Sequence, residues 1–328
     1  MSRVFLTGGS GFIGGQLAVA LLARGDEVVA LARSEESARS LGSRGVEVAR
    51  GDVLDRDTLV RAMAGCEIVH HVAGVNSHCP RDPGQLWRVN VVGPQNVVDA
   101  AVRQGVMRVV FTSSAASLGE PHGTIGNEST PHRGAFLSIY EQSKYVGERA
   151  AFAAAEAKGL PLVALNPTSV QGPPRTGGNG AIIIAFLNRR LRAFVETHVS
   201  LVDVRDVVAA HLLAESHGRP GHRYVLSGAA VTSAQALQLV SDLSGVSYRV
   251  LFIPPAVARR AAGMVDAISR LRRRPSPLCP AGVSTILFGH RYDGSLAERE
   301  LGLRYTPLAD TFRRTIEWAR SEDLAPRR

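Results

Sequence analysis

The chain has 328 residues, 45% of them hydrophobic, which excludes a disordered or fibrous protein and fits one large α/β unit or two lobes. Its 38 basic residues, mostly arginine, exceed its 29 acidic residues and give a net charge of +9, which would suit a nucleic acid, a membrane surface or an anionic small ligand. The sequence has no zinc-finger spacing, RNA-binding consensus or leucine-zipper repeat, so we expect no nucleic-acid partner and assign part of the charge to an anionic cofactor.

The cysteines and the N-terminus indicate the compartment. Cys66, Cys79 and Cys279 are odd in number, widely spaced and free of a CxxC pair, which argues against a disulfide framework or a zinc site and fits a reducing compartment. Residues 1–3 lead straight into an apolar segment with no signal-peptide pattern, and no apolar run has the length of a membrane span. We therefore expect a cytoplasmic protein with a small-molecule substrate and no metal.

The first half alternates short β-branched runs with longer helical patterns, which is typical of a parallel sheet with crossover helices. The predicted helices begin near residues 12, 35, 57, 85 and 138, and the predicted strands span residues 4–7, 27–31, 46–50, 68–71, 108–113 and 162–166. These strands are nearly continuous apolar runs, as in sheets covered on both faces. The pattern predicts an α/β fold with a doubly wound parallel sheet, the Rossmann fold, over residues 1–170.

From residue 171 onward the alternating pattern of strands and helices ends. Residues 172–180 form an irregular loop rich in glycine and proline, and shorter helices are predicted at 206–216, 233–244 and 311–320. We interpret residues 171–328 as a smaller substrate-binding lobe that partly returns to the sheet.

One helix of this lobe is basic. Residues 254–274 place six apolar side chains on one side of a helix: Val257, Ala261, Met264, Val265, Ile268 and Leu271. Such a helix can lie on a membrane surface. We favour the alternative, a lobe helix with a solvated arginine face, and expect no membrane contact.

The clearest motif spans residues 7–14, directly after the first predicted strand. Gly8, Gly11 and Gly14 have the spacing that allows a tight turn, a close approach of the backbone to a pyrophosphate, and close packing of helix on strand. Phe12 and Ile13 begin the following helix, whose free N–H groups and dipole attract phosphates. The motif predicts a dinucleotide site.

Further motifs give the chain a resemblance, over nearly its whole length, to the extended short-chain dehydrogenase/reductases. They are Gly51-Asp52-Val53, His71-Val72-Ala73-Gly74, the segment around Asn90, Phe111-Thr112-Ser113-Ser114-Ala115, the Tyr140-x-x-x-Lys144 motif and Asn166-Pro167-Thr168-Ser169-Val170. The resemblance implies that Asp52 and Val53 lie at the adenine, Ala73 and Gly74 beneath the ribose and phosphates, Asn90 behind the active site, and Pro167 and Val170 at the nicotinamide amide.

The Tyr140–Lys144 spacing also has a physical reading. Residues four apart on a helix share a face, so the Lys144 ammonium can stabilise a tyrosinate and lower the pKa of Tyr140 toward the working pH of a general acid or base. Ser114, at the end of a strand, can orient the substrate oxygen. Its neighbour Ser113 should face the opposite side of the sheet, and the resemblance favours Ser114.

The end of the second predicted strand bears on which cofactor binds. A Rossmann fold that binds NAD usually has Asp or Glu there for the ribose hydroxyls, whereas this chain has Ala32-Arg33-Ser34. A guanidinium suits a 2′-phosphate, so we expect NADP(H) with Arg33 as its contact and keep NAD as the alternative. In that alternative Arg33 points to solvent and Glu35 or Glu36 takes the ribose.

Two motifs that the sequence lacks narrow the choice of subgroup within this family. The chain lacks both the adjacent Asp-Glu pair of nucleotide-sugar dehydratases and, in residues 192–204, the diphosphate clamp usual in nucleotide-sugar epimerases. It looks most like dihydroflavonol-4-reductase-like proteins and hopanoid-associated epimerase relatives. The resemblance implies a carbonyl reductase, with a sugar epimerase and a non-catalytic dinucleotide sensor as alternatives, and a homodimer formed through residues 85–104 and 138–157.

Overall fold

A computed structural model describes residues 1–272 and 280–326. The twelve strands are β1 (Arg3–Thr7), β2 (Glu27–Ala32), β3 (Glu47–Arg50), β4 (Ile68–His71), β5 (Arg108–Thr112), β6 (Leu162–Pro167), β7 (Ser169–Gln171), β8 (Ala193–Val195), β9 (His198–Asp203), β10 (Arg223–Leu226), β11 (Ala229–Thr232) and β12 (Leu251–Ile253). The α-helices are α1 (Phe12–Arg24), α2 (Glu35–Gly42), α3 (Arg56–Ala62), α4 (Pro83–Trp87), α5 (Gly93–Arg103), α6 (Ile139–Glu156), α7 (Asn179–Leu187), α8 (Val204–Ser216), α9 (Ser233–Ser244), α10 (Pro255–Leu271), α11 (Pro280–Phe288) and α12 (Leu308–Ser321). A 3₁₀ turn spans Ala115–Leu118, and π-helical turns span Arg88–Val92 and Ala297–Leu301.

The central sheet has seven strands in the order β10-β6-β5-β4-β1-β2-β3, and every neighbouring pair is parallel. The predicted α/β Rossmann architecture is therefore confirmed. The strand order reverses between β1 and β4, and such a switch point opens a crevice at the carboxyl ends of the strands. The position of the cleft described below follows from this topology.

Apolar side chains cover the sheet on both faces, as the nearly continuous apolar runs of the strands predict. On one face, α3, α5 and α6 pack against residues such as Phe5, Val69 and Phe111. On the other face, α1 contributes Leu17 and Leu21, and α8 covers the half of the sheet that contains β6. The two layers of helices hold the strand ends rigidly in place.

The later part of the chain builds its own core but also completes the central sheet. Strands β11, β9 and β7 form a small sheet, β12 pairs with β8, and helices α7, α9 and α12 pack around Phe186, Leu237 and Phe312. Between these elements the chain returns to the large sheet, where β10 pairs with β6 from Arg223 opposite Ala164 to Leu226 opposite Pro167.

The basic helix exposes most of the apolar side that its sequence pattern identifies. Helix α10 buries Ala262 and Ser269, whereas the large apolar residues Met264 and Leu271 are 65% and 85% exposed. Periodicity identifies side chains that share a face, but it does not say which face packs on the protein. Helix α10 packs against α11.

The cysteines also differ from expectation. Cys66 is buried and free, whereas Cys79 is disulfide-bonded. The structure therefore differs from the predicted set of reduced thiols. Cys279 lies outside the described residues. Among the helices in the described ranges, none combines the length and the apolar character needed to cross a bilayer.

Candidate active site

A cleft of about 1080 Å³ runs along the carboxyl ends of the central strands and into the space beneath α9 and α11. Fifteen of the sixteen predicted site residues line it: Gly8, Gly11, Phe12, Ile13, Gly14, Arg33, Asp52, Val53, Ala73, Gly74, Ser114, Tyr140, Lys144, Pro167 and Val170. The fold therefore gathers motifs spread over more than 160 residues into one continuous space.

The glycine turn forms one end of the cleft. Gly8 has a φ of +73°, and a Cβ there would lie 2.7 Å from the backbone nitrogen of Ala73, so a side chain would collide with the loop after β4. A Cβ on Gly14 would overlap the carbonyl oxygen of Gly8. Gly11 is the N-cap of α1 and brings no side chain to cap it, which leaves the first N–H groups of the helix available to an anion.

Asn90 is the predicted residue that lies outside the cleft lining. Its Oδ1 accepts a hydrogen bond from Val75 N at 2.8 Å, and its Nδ2 donates to Val75 O and to Ser143 Oγ, each at 3.0 Å. Both amide hydrogens are thus used by protein groups. Asn90 positions the loop after β4 against α6, and this loop carries Ala73 and Gly74 to the cleft.

Ser114 and Tyr140 meet at the centre of the cleft. Ser114 caps the 3₁₀ turn after β5, and Asn166 Nδ2 donates to its carbonyl oxygen at 3.1 Å, which fixes the strand end. Burial raises the pKa of the Tyr140 phenol, while its side-chain hydrogen bond with Ser114 and the positive charge of Arg175 act in the opposite direction. The raised pKa keeps the phenol protonated at neutral pH, and Arg175 is a cation whose charge opposes the shift. The effect predicted for Lys144 on Tyr140 stays a prediction.

Lys144 lies one helical turn after Tyr140 and is buried. Its Nζ donates to the carbonyl oxygen of Thr112 at 3.3 Å and lies 5.7 Å from the centre of the Phe111 ring. A Cβ added to Gly74 would be 3.3 Å from this nitrogen. Burial lowers the pKa of Lys144 to about 8, and the negative charge of Glu148 opposes the shift.

Arg33 stands at the other end of the cleft, after β2. Its side chain is exposed and lines the cleft together with Ser34 and Ser37. Ser34 caps α2 by accepting from Ser37 N. Glu35 pairs with Arg50 at 3.2 Å, so this carboxylate is already engaged by a guanidinium outside the cleft.

Sequence reasoning missed Arg175. It follows the Gly172-Pro173-Pro174 turn, lies over the Phe12 ring at 5.1 Å and donates to Val170 O at 2.6 Å. Burial lowers the pKa of its guanidinium, and electrostatic interaction with the neighbouring Tyr140 opposes this shift. The only signal in the sequence was a single arginine inside a loop that otherwise consists of glycine, proline and small polar residues.

A second polar group at the substrate end of the cleft was also missed. His290 Nδ1 hydrogen-bonds to the buried Glu120 Oε1 at 2.6 Å, and the Tyr292 hydroxyl lies 3.2 Å from the same ring nitrogen. His290 and Glu120 are 170 residues apart in sequence, so no local spacing indicates the pair. The remaining lining at this end is mainly apolar and includes Ile182, Ile183, Phe194, Val199, Leu201, Leu237 and Phe312.

The residues present fit a nicotinamide dinucleotide. The glycine turn leaves room for phosphates that a Cβ would fill, the helix N-terminus behind it attracts negative charge, and the cleft continues from there to Tyr140. The fold and the cleft together define an enzyme that uses such a cofactor.

Comparison with known proteins names the family. The chain belongs to the NAD dependent epimerase/dehydratase family, whose model matches residues 4–227. Sterol demethylase protein B from Methylococcus capsulatus is 35% identical over 97% of this chain and 98% of its own length. A protein from Synechocystis sp. named as a candidate dihydroflavonol 4-reductase is 34% identical over 96% of this chain and 93% of its own length.

A solved structure agrees with these relatives. The crystal structure of gox2253 superposes with a TM-score of 0.86 at 28% identity, covering 99% of this chain and all of that one. The resemblance to extended short-chain dehydrogenase/reductases is therefore confirmed over nearly the whole length of the chain, and the protein is an enzyme of that type.

Proposed function

We propose that the protein reduces the carbonyl group of a largely apolar ketone or aldehyde to an alcohol, with NADP(H) as cofactor. The observation that carries this proposal is the pairing of a protonated Tyr140 and Ser114 with a cleft whose far end is mainly apolar. The names of both relatives refer to polycyclic compounds, a sterol and a dihydroflavonol, which agrees with an apolar substrate. Residues 1–170 would bind the cofactor and residues 171–328 would supply most of the substrate contacts.

The chain's own groups carry out the proton chemistry. When bound, the reduced nicotinamide supplies a hydride to the carbonyl carbon. Ser114 donates a hydrogen bond to the carbonyl oxygen and orients it, and Tyr140 gives its phenolic proton to the oxygen as negative charge develops there. Burial raises the pKa of Tyr140, so the phenol holds at neutral pH the proton that this step requires. Lys144, beside Gly74, would hold the ribose.

The proposal predicts a measurable reaction. Purified protein should consume NADPH in proportion to alcohol formed when it is offered a panel of aryl, alicyclic and sterol ketones. A matched preparation of Tyr140→Phe measures the background rate. Tight binding of a UDP-sugar, with interconversion of isomers and no net change in NADPH absorbance, would instead identify an epimerase. Binding of NADPH without turnover of any compound in the panel would favour the alternative that the protein is a non-catalytic dinucleotide sensor.

Arg33 should determine cofactor preference. Its guanidinium lines the end of the cleft where we place the adenosine. The Glu35 carboxylate pairs with Arg50, so a 2′-phosphate in this position would meet the Arg33 cation and not an unpaired Glu35. Arg33→Ala should weaken NADPH binding by roughly ten- to a hundredfold, because a bidentate charged contact is lost, and leave NADH binding unchanged. Calorimetric titration of both cofactors checks this, with the exposed Arg39→Ala as control. NADH binding as tight as NADPH by the wild type would disprove it.

The homodimer through residues 85–104 and 138–157 and the cytoplasmic location stay predictions.

A further inference from the structure

Helix α10 exposes a line of large apolar side chains to solvent. Val257, Met264, Ile268 and Leu271 are 53%, 65%, 46% and 85% exposed, and with the exposed Ala261 they follow one another at spacings of three and four residues. Such spacing places all five on one side of the helix. We call these five residues the α10 stripe. At 1.5 Å per residue it is about 21 Å long.

The exposed large apolar side chains of the protein are concentrated in and next to α10 along the chain. Of the eleven large apolar side chains that are exposed in the described part of the chain, six fall between residues 251 and 286. The two outside α10 are Leu251, in the strand that precedes it, and Ile286, in the helix against which it packs. A concentration of this kind in a water-soluble fold indicates a surface that something covers.

Positive charge borders the stripe on both sides. Arg260 is exposed and lies within one helical turn of Val257 and Met264. Arg272 is exposed and lies one turn after Ile268, to whose carbonyl oxygen its backbone N–H still bonds at 3.0 Å. The sequence of α10 contains three arginines against one acidic residue, Asp266, and the whole chain carries a net charge of +9.

This charge identifies the occupant. A second copy of the chain docked through the same stripe would bring Arg260 and Arg272 of both copies together, and like charges in contact oppose association. A bilayer that contains anionic lipid accepts apolar side chains at the level of its head groups and attracts the arginines that flank them. We propose that the α10 stripe docks the protein on the surface of an anionic membrane.

Docking through α10 would place the substrate end of the cleft at the membrane. Helix α11, against which α10 packs, contributes Gly282, Thr285 and Ile286 to the cleft lining. An apolar substrate dissolved in lipid would then have a short path into the cleft. The docking surface itself does not depend on which reaction the cleft performs, so it can be tested with no substrate.

The test is flotation of the full-length protein with lipid vesicles. It should float with vesicles of phosphatidylcholine and phosphatidylglycerol at low salt, and weakly or not at all with phosphatidylcholine alone or at high salt. Met264→Gln and Ile268→Gln together should weaken the partition at least about tenfold, because two side chains no longer enter the apolar region. Both positions are exposed, so the fold should tolerate the changes.

Matched variants control for nonspecific effects. Met107→Gln removes a methionine that is 58% exposed on another surface and should leave flotation unchanged. Arg260→Gln should weaken binding to the anionic vesicles about fivefold, whereas Arg103→Gln, exposed in α5, should not. Failure of the wild type to float with anionic vesicles would refute the proposal, as would equal losses in Met107→Gln and the stripe variants. A stripe variant that converts a dimer into a monomer, in a protein that does not float, would assign the stripe to contact between copies.

Discussion

Tyr140→Phe should reduce kcat for carbonyl reduction on the order of 10²-fold or more and leave the affinity for NADPH unchanged. The substitution removes one hydroxyl from a buried ring and keeps the ring's packing, including its edge contact with His78 at 5.1 Å between ring centres. In the proposed mechanism the lost group is the proton donor, so the substitution destabilises the transition state more than the ground state. Steady-state kinetics with a good ketone, together with a cofactor titration, measure both quantities.

The same helix provides the control. Tyr145 packs against the rings of His132 and Phe136 outside the cleft lining, and Tyr145→Phe makes the same chemical change in α6. We expect it to keep kcat within about twofold, since it alters only a partly buried hydroxyl. Near-full turnover by Tyr140→Phe would show that another group donates the proton, and His290, held by Glu120, would then be the next residue to test.

Lys144→Met should abolish most of the activity and at the same time stabilise the fold at pH 7 by about 1–3 kcal/mol. The ammonium is buried beside Phe111 and pays a desolvation penalty, which appears as the lowered pKa of Lys144, about 8. A methionine of similar length fills the space without charge. The hydrogen bond to Thr112 O is lost, which offsets part of the gain.

The gain in stability should depend on pH. Below about pH 8, Lys144 is protonated in both the folded and the unfolded protein, and the whole penalty for burying the charge is present. As the pH rises from about 8 toward the ordinary lysine value near 10.5, the folded protein has already released its proton while the unfolded protein still holds one. The wild type therefore becomes more stable over this window, and the advantage of Lys144→Met shrinks.

Urea unfolding at pH 7 and pH 10 measures this difference. Lys144 and Lys158 are the two lysines of the chain, so Lys158→Met is a natural control. Lys158 is partly exposed and pairs with Asp99, and its loss should change the free energy of unfolding by less than about 1 kcal/mol. A free-energy gain for Lys144→Met that is equal at both pH values would contradict the burial penalty.

The sequence was most informative where local pattern determines structure. Strand β4 was predicted to the residue, and most other elements of the central sheet to within one or two, because a buried parallel strand is an apolar run and glycine and capping residues mark its ends. The glycine turn at one end of the cleft was equally predictable from the sequence, because it is a single short segment.

What the sequence could not supply are contacts between distant segments. The pairing of Glu120 with His290 and the placement of Arg175 beside Tyr140 arise only when loops from separate parts of the chain converge. The direction of the α10 stripe escaped prediction for a related reason. The helical period identifies which side chains share a face. Whether that face is buried depends on whether other elements of the fold lie next to it.

The position of β10 has a consequence for how the protein is made. Residues 1–170 contain the dinucleotide motifs, but the edge of their sheet is β6, whose outer backbone groups bond to a strand that emerges only at residues 223–226. During synthesis more than fifty further residues must therefore follow residue 170 before this edge of the sheet is covered. A fragment ending at residue 170 would expose β6 as an open, apolar edge, which invites aggregation. The boundary predicted near residue 170 is thus not a place where we expect the chain to tolerate truncation.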